Sequence, residues 1–242
     1  MHAWQERTAI LFKDEQMERL RNATVAVIGL GGVGAYAAEM IVRAGVEHVV
    51  LLDSDSVSES NKNRQLLALD STIGRLKTEV MAGRLADINP DLRMDIISEY
   101  LTEENVSEVL GAFDPDYVVD AIDTLAPKIA LMKYCYDNHI PSVSSMGSGA
   151  KSDMTKIRIS DISKSFNCPL AYMIRKRLRK LGISKGIQVV FSEELPDRDA
   201  VVPMEDRNKK SQVGTVSYLP ASFGCACAQA AISYLVSTHP QP

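Results

Sequence analysis

The sequence predicts an α/β fold, a Rossmann-like, doubly wound and mostly parallel sheet with an extended C-terminal half. The first observation is a short, β-branched apolar run at residues 24–29, typical of a buried parallel strand. The second is a helix-favouring segment over residues 33–42, which stops near Gly45. The third is an apolar run from His48 to Asp53, which completes a βαβ unit of about thirty residues.

Alternating patterns extend this sheet along the chain. We predict further strands over residues 94–97, 117–121, 140–144, 156–160 and 187–191, and helices over residues 76–88, 128–136, 170–181 and 223–236. Residues 193–216 are rich in charge, Pro and Ser, which predicts a flexible loop. The chain then divides into an N-terminal helical segment (1–23), a Rossmann-like region (24–146) and the C-terminal half of the same domain (147–242).

Composition limits the class of protein. The 242 residues are 45% hydrophobic, enough to bury a sizeable core. No apolar run approaches the ~20 residues needed to cross a bilayer, so we expect a soluble, cytoplasmic protein without membrane contact. The net charge of −4 means that a polyanion partner must be engaged through a local patch.

The four cysteines form neither a disulfide framework nor a CxxC zinc spacing, so reduced thiols are expected. Cys225 and Cys227 are two residues apart, and on a helix they point in different directions. A thioester-forming cysteine is one interpretation of this pair. Buried small hydrophobes are the usual alternative in an Ala-rich helix.

A glycine-rich loop joins the first predicted strand to the first helix, and its glycines are Gly29, Gly31, Gly32 and Gly34. Backbone amides at such a helix start can face phosphate. Asp53 ends the second strand about twenty residues on, where an acidic side chain bonds ribose hydroxyls. Loop and aspartate alone favour NAD over ATP, and a glycine turn needed only for packing is the structural alternative.

The segment after Asp53 favours ATP. A triphosphate needs cations and amide donors at its β- and γ-phosphates, whereas a dinucleotide needs apolar room for its rings. Such polar groups follow in one stretch, with Asp55 and Gln65 beside the donors Asn61, Arg64 and Lys77. Taken singly, each cation is more often a solvated surface charge.

Asp120 and Asp123 lie at the carboxyl end of a predicted central strand, where doubly wound sheets bind their ligands. Magnesium bound to phosphates takes one or two protein carboxylates, and Asp123 is the better candidate. Its alternative role is to cap the helix that follows.

Five cations lie within six positions of the predicted helix over residues 170–181: Arg175, Lys176, Arg177, Arg179 and Lys180. Their functional interpretation is contact with phosphates of structured RNA. An ordinary solvated helix face is the alternative.

Together these residues resemble the adenylating enzymes of the ubiquitin-activating type, the ThiF, MoeB and HesA superfamily, over residues 4–146. The resemblance implies that Asp53 binds ribose, that Asn61, Arg64 and Lys77 contact phosphates, and that Asp123 holds Mg²⁺. It further implies a homodimer, because Arg7 resembles the arginine finger that this superfamily donates across its dimer.

Residues 140–149, 153–164 and 175–180 most resemble the tRNA threonylcarbamoyladenosine dehydratases of this superfamily. The paired CxxC zinc motifs of its sulfur-carrier activators are absent from the sequence. The implied function is ATP-dependent cyclisation of threonylcarbamoyladenosine in tRNA through a carboxyl-adenylate. A sulfur-transfer partner is possible but leaves no pattern in the sequence.

Three alternatives stay open at this point. The first is adenylation of the C-terminal glycine of a ubiquitin-like sulfur-carrier protein. The second is a Rossmann oxidoreductase using NAD, and the third is a non-catalytic RNA-binding module.

Overall fold

The structure is a computed structural model that describes residues 2–203 and 211–237. The helices are α1 Glu6–Asn22, α2 Gly34–Ala44, α3 Lys77–Ile88, α4 Val106–Gly111, α5 Leu125–Asp137, α6 Pro169–Lys180 and α7 Tyr218–Val236. The strands are β1 Thr24–Ile28, β2 His48–Leu52, β3 Arg93–Ile97, β4 Tyr117–Asp120, β5 Ser142–Ser145, β6 Ile157–Asp161, β7 Gln188–Ser192, β8 Val201–Pro203 and β9 Ser211–Val213.

One seven-stranded sheet runs through the described residues in the order β3-β2-β1-β4-β5-β7-β6. All its pairs are parallel except β7 with β6. This confirms the predicted α/β, Rossmann-like, mostly parallel sheet. The order reverses beside β1, so the carboxyl ends of β1 and β4 form the crevice where such sheets bind ligands.

Alternate strand residues pack into layers on opposite faces of the sheet. Val25 and Val27 of β1 join a cluster with α2, α3 and α7, whereas Ala26 and Ile28 join a cluster with α4 and α5. A third cluster places α6 against β7. The central strands are buried on both faces, which is why their sequences are continuously apolar.

Two predictions need correction. The predicted loop over residues 193–216 contains a 3₁₀ turn, Arg198–Ala200, and an antiparallel pair, β8 and β9; residues 204–210 lie outside the described residues. By length and composition α7 could cross a membrane, with a mean hydropathy of 1.4, contrary to our expectation that no segment is apolar enough. This is weak evidence for a membrane span, because α7 packs against α2 and β5 as a core helix does.

Candidate active site

The glycine loop follows β1 and turns sharply into α2. Gly29 has a φ of +91° and donates its amide to the Leu52 carbonyl at 2.7 Å. A Cβ on Gly34 would lie 1.7 Å from the Gly29 carbonyl oxygen, so no other residue fits at Gly34. Packing alone therefore explains these two glycines.

The middle of the loop faces the segment that follows β2. A Cβ on Gly31 would come no nearer to a described atom than 3.8 Å, at Gln65 Nε2, whereas one on Gly32 would lie 3.1 Å from Pro220 Cβ and 3.4 Å from the Arg64 carbonyl oxygen. Packing does not require a glycine at position 31. Its missing side chain leaves the loop backbone open to a ligand.

Asp53 is buried directly beneath this loop. Its Oδ2 accepts the Leu30 amide at 2.6 Å and its Oδ1 accepts the Asp55 amide at 2.8 Å. Burial raises the pKa of Asp53, and the positive charge of Lys77 opposes that rise. Two amides thus fix the orientation of the carboxylate, and each oxygen can still accept a ribose hydroxyl.

Lys77 begins α3 and is buried. Its Nζ lies 2.7 Å from Asp55 Oδ2 and 3.8 Å from Asp53 Oδ2. The amine is therefore held beside the predicted ribose ligand by two carboxylates. Asp55, predicted as a nucleotide contact, is here the ion-pair partner of Lys77.

The segment between β2 and α3 carries three further predicted residues. Arg64 Nη1 donates to the Ser60 carbonyl at 3.0 Å and to Asn63 Oδ1 at 2.7 Å, which holds the guanidinium against its own turn. Asn61 Oδ1 accepts the Ser58 amide at 3.1 Å, so its Nδ2 is the end that can donate to phosphate.

Gln65 differs from its neighbours, because its Oε1 is buried and accepts no hydrogen bond within residues 2–203 and 211–237. A phosphate oxygen cannot donate to this acceptor, whereas a hydroxyl group or a water molecule can.

Beneath the carboxyl end of β4 lies a buried ion pair that the sequence did not predict. Lys128 Nζ is fully buried, 2.9 Å from Asp120 Oδ2 and 2.9 Å from the Ile122 carbonyl oxygen. Asp120 also accepts the Ile122 amide at 3.0 Å and the Ser144 hydroxyl. The pair fixes the turn after β4. A lysine among apolar helix residues gave no signal that it faces inward.

Asp123 lies on this turn and is exposed. The turn itself abuts the glycine loop, since a Cβ on Gly29 would lie 3.0 Å from the Ala121 carbonyl group. Thr124, and not Asp123, occupies the N-cap position of α5. Within the part of the chain that the structure describes, no cluster of three or more His, Cys, Asp or Glu could hold a metal by itself. A single carboxylate beside the phosphate loop fits a cation that phosphates also bind.

The glycine loop, Asp53, Lys77, Arg64 and the Asp123 turn thus meet at one edge of the sheet. A family model for ThiF matches residues 5–242. The chain belongs to the ThiF family.

Two curated relatives carry the same name, tRNA threonylcarbamoyladenosine dehydratase. That of Bacillus subtilis (strain 168) is 45% identical over 204 residues, covering 84% of this chain and 78% of the relative. That of Escherichia coli (strain K12) is 35% identical and covers 98% of this chain and 90% of the relative. A crystal structure of the E. coli dehydratase, TcdA, in complex with ATP superposes with a TM-score of 0.88 at 34% identity, covering 97% of this chain and 96% of that one. The resemblance inferred from the motifs is confirmed.

Arg7 lies two residues after Gln5, whose Nε2 is 3.6 Å from the Cβ position of Gly45, just before β2 and thus at the opposite end of that strand from Asp53. It is exposed on α1, and α1 packs against α7. Ile10 and Leu11 on the same helix are 66% and 71% exposed. An apolar surface beside Arg7 is the arrangement that a contact with a second copy would need.

A cavity of about 490 Å³ opens beside Arg64. Ser60 and Asn63 line one wall, and residues of the β8–β9 hairpin, including Val202 and Gln212, line the other. A group large enough to fill it would reach the predicted phosphate contacts from the hairpin side.

The basic helix α6 packs against β7, two strands beyond β4 in the sheet. Lys176, Arg177, Arg179 and Lys180 are exposed, whereas Arg175 is half-buried. Arg175 Nη1 donates to the Ser165 carbonyl at 2.8 Å and to its hydroxyl. The solvated cations of α6 are therefore four, and Arg175 ties the middle of the helix to the preceding loop.

The two cysteines of α7, Cys225 and Cys227, both have raised pKa values. Cys227 is fully buried, and burial raises its pKa to about 12. Cys225 is exposed, but partial desolvation of its thiol still raises the pKa of Cys225. A thiol with a raised pKa holds little thiolate at neutral pH. Cys227 is a buried packing group, whereas the expectation that both cysteines are buried is wrong for Cys225, which is exposed.

Proposed function

We propose that this chain is an ATP-dependent tRNA threonylcarbamoyladenosine dehydratase, which cyclises N6-threonylcarbamoyladenosine in tRNA through a carboxyl-adenylate. The observation that carries the proposal is the convergence of an open glycine loop, the buried Asp53 carboxylate and Lys77 at one edge of the sheet. A triphosphate needs cations at its β- and γ-phosphates, which Lys77 and Arg64 supply, whereas a dinucleotide needs apolar room for its two rings.

In the first step, the carboxylate of the threonylcarbamoyl side chain attacks the α-phosphorus of ATP. An acyl–phosphate bond forms, and the bond to the bridging oxygen breaks, so pyrophosphate leaves with the electron pair. Lys77, Arg64 and the Asn61 amide then stabilise the charge that develops on it. Lys77 must exchange Asp55 for phosphate as the nucleotide binds.

In the second step, the carbamoyl group closes a five-membered ring on the activated carbonyl. AMP leaves with one carboxylate oxygen and a proton is released, so water is lost overall. The ring closure is intramolecular, and proximity supplies much of the rate. No protein nucleophile is needed, in accord with the raised pKa values of Cys225 and Cys227.

Magnesium fits this edge of the sheet. Asp123 would hold it together with the phosphates, and the cation would supply charge neutralisation at the leaving pyrophosphate. The buried Lys128–Asp120 pair holds the turn that carries Asp123.

The active form is a homodimer in which Arg7 of each copy completes the site of the other. The exposed apolar residues of α1 support this arrangement. Mixing an Arg7→Ala copy with a Lys77→Ala copy tests it, because one site of the mixed dimer then holds both native side chains. Activity above that of either variant alone is expected, and its absence would contradict the shared site.

The partner is tRNA carrying threonylcarbamoyladenosine, and the protein acts on it in the cytoplasm. The exposed cations of α6 contact its phosphates, and the cavity beside Arg64 admits the modified nucleoside.

The decisive experiment is mass spectrometry of tRNA nucleosides after incubation with the protein, ATP and Mg²⁺. Conversion of threonylcarbamoyladenosine to a product lighter by one water is expected, with AMP and pyrophosphate in equal amounts. Lys77→Ala is the control for contaminating activity. ATP–pyrophosphate exchange that needs a ubiquitin-like carrier protein and no modified tRNA would instead establish the sulfur-carrier alternative.

A further inference from the structure

The catalytic edge is the edge of the sheet formed by the carboxyl ends of the parallel strands, where the glycine loop, Asp53 and Lys77 lie. Helix α6 runs from this edge to the opposite one. At its start, Leu170 Cβ lies 3.7 Å from the Cβ position of Gly147, in the loop that leaves the carboxyl end of β5. Just before it, Asn167 Nδ2 donates to the Glu193 carbonyl at 2.8 Å, beyond the carboxyl end of β7. At its far end, the Gly186 amide donates to Asp161 Oδ2 at 2.6 Å, where β6 ends and β7 is about to begin. The helix is thus antiparallel to the parallel strands.

The exposed surface of α6 changes in character along this direction. The end far from the catalytic edge carries Lys176, Arg177, Arg179 and Lys180. No Asp or Glu occurs between Pro169 and Lys180, and within the described residues none of the four forms an ion pair. These charges are therefore available to a polyanion at low desolvation cost.

Two exposed aromatic rings lie near the catalytic edge, Tyr172 on α6 and Phe166 in the loop just before it. Tyr172 is 59% exposed and Phe166 is 47% exposed. The Phe166 ring meets Phe191 edge-on, with centroids 5.6 Å apart and an interplanar angle of 68°. This contact orients Phe166 while a large part of its surface stays in water. Exposed aromatic rings beside cations are the arrangement on which unpaired bases stack.

We propose that α6 docks the substrate RNA in one direction, with phosphates over the cationic end and unpaired bases on Tyr172 and Phe166, toward the catalytic edge. The proposal rests on the proposed function, in which the RNA delivers a nucleotide to that edge. Tyr172 and Lys180 are eight residues apart, or about 12 Å along the helix, a span of a few nucleotides. RNA fits this face better than an acidic protein does, because an acidic segment has no use for the two rings.

The test uses the full chain and a tRNA anticodon stem-loop with 2-aminopurine at an unpaired loop position. The fluorescence of the probe should be quenched on binding to the wild-type protein. Tyr172→Ala should relieve the quenching and weaken binding roughly 5- to 100-fold, the range for losing one stacked base. Tyr172→Phe should preserve both signals, because the ring and not the hydroxyl carries the contact.

Tyr100→Ala is the matched control, since Tyr100 is 52% exposed and follows β3 at the opposite margin of the sheet. Unchanged quenching and affinity in Tyr172→Ala would overturn the proposal. So would a change of oligomeric state with unchanged RNA affinity, which would show that this face binds a second copy. The nucleoside assay separates the two proposals. If Tyr172→Ala weakens RNA binding but the wild-type protein forms no cyclic product, the proposed function is refuted and the docking face is retained.

Discussion

The catalytic edge and the surface of α6 use charge in opposite ways. At the catalytic edge, Lys77 and Lys128 are buried and each is held by a carboxylate. On α6, four cations stand in water without an acidic partner among the described residues. Transfer at an α-phosphate requires fixed positions, which burial and hydrogen bonds provide, whereas attraction of a long polyanion requires only net charge on one face. The same residue type should therefore respond very differently to mutation in the two regions.

The largest effect is expected for Lys128→Ala. It leaves the Asp120 carboxylate buried without its counter-ion, which typically costs about 3–5 kcal/mol of unfolding free energy. Urea denaturation of the two proteins measures this difference. Lys133→Ala is the matched control on the same helix, because the Lys133 side chain is 39% exposed and its ion-pair partner is the surface residue Asp137, so a change within about 0.5 kcal/mol is expected. A loss below about 1 kcal/mol for Lys128→Ala would show that the pair does not hold the turn.

The second-largest effect is expected for Lys77→Ala, which should lower the catalytic rate. Removing one fixed cation from the leaving pyrophosphate should lower kcat about 10²- to 10³-fold in the nucleoside assay. Lys62→Ala is the control in the segment between β2 and α3, since Lys62 is more exposed and pairs with Asp70 at the surface. Equal losses in the two variants would indicate that net charge, and not a placed amine, supports the reaction.

Much of the catalytic edge could be predicted from the sequence, because steric constraints fix the residue types of its motifs. Gly34 lies where a side chain would collide with Gly29, and Asp53 lies where the strand ends. The strands and helices around them follow from apolar periodicity. The α/β class and the ends of α2 were predicted in this way, with Gly45 in the left-handed conformation at the end of the helix.

Other features depend on contacts between distant residues, which a single sequence does not display. Lys128 is buried only because Asp120 and the Ile122 carbonyl are brought to it, and its neighbours in sequence give no sign of this. The charge pattern groups Arg175 with four solvated cations, yet Ser165 holds it. The β8–β9 hairpin has strands of three residues each, too short for a pattern to emerge.

For the surface of α6, the double variant Arg179→Ala and Lys180→Ala should reduce RNA affinity in a salt-dependent way. The slope of log K against log salt should fall by about 0.7–0.9 for each phosphate that the variant no longer neutralises. ATP binding should stay unchanged, because these side chains lie at the far end of α6 from the catalytic edge. An unchanged slope measured by fluorescence anisotropy at several salt concentrations would place the RNA elsewhere.

The smallest effect concerns an ion pair that joins the two helices of the catalytic edge. Glu39 of α2 bonds Arg84 of α3 and Arg43 of its own helix. Burial by itself would raise the pKa of Glu39, but the hydrogen bonds and charges of Arg84 and Arg43 hold that pKa below its ordinary value. A carboxylate with a lowered pKa stabilises the fold above its unfolded pKa of about 4.3, and this contribution is lost as the pH falls through the folded pKa. Glu39→Gln should therefore cost about 1 kcal/mol near pH 7 and nothing once both states are protonated, giving a shallower acid limb in urea denaturation. A difference from wild type that stays constant from pH 7 into the acid range would show that Glu39 acts by packing and not by charge.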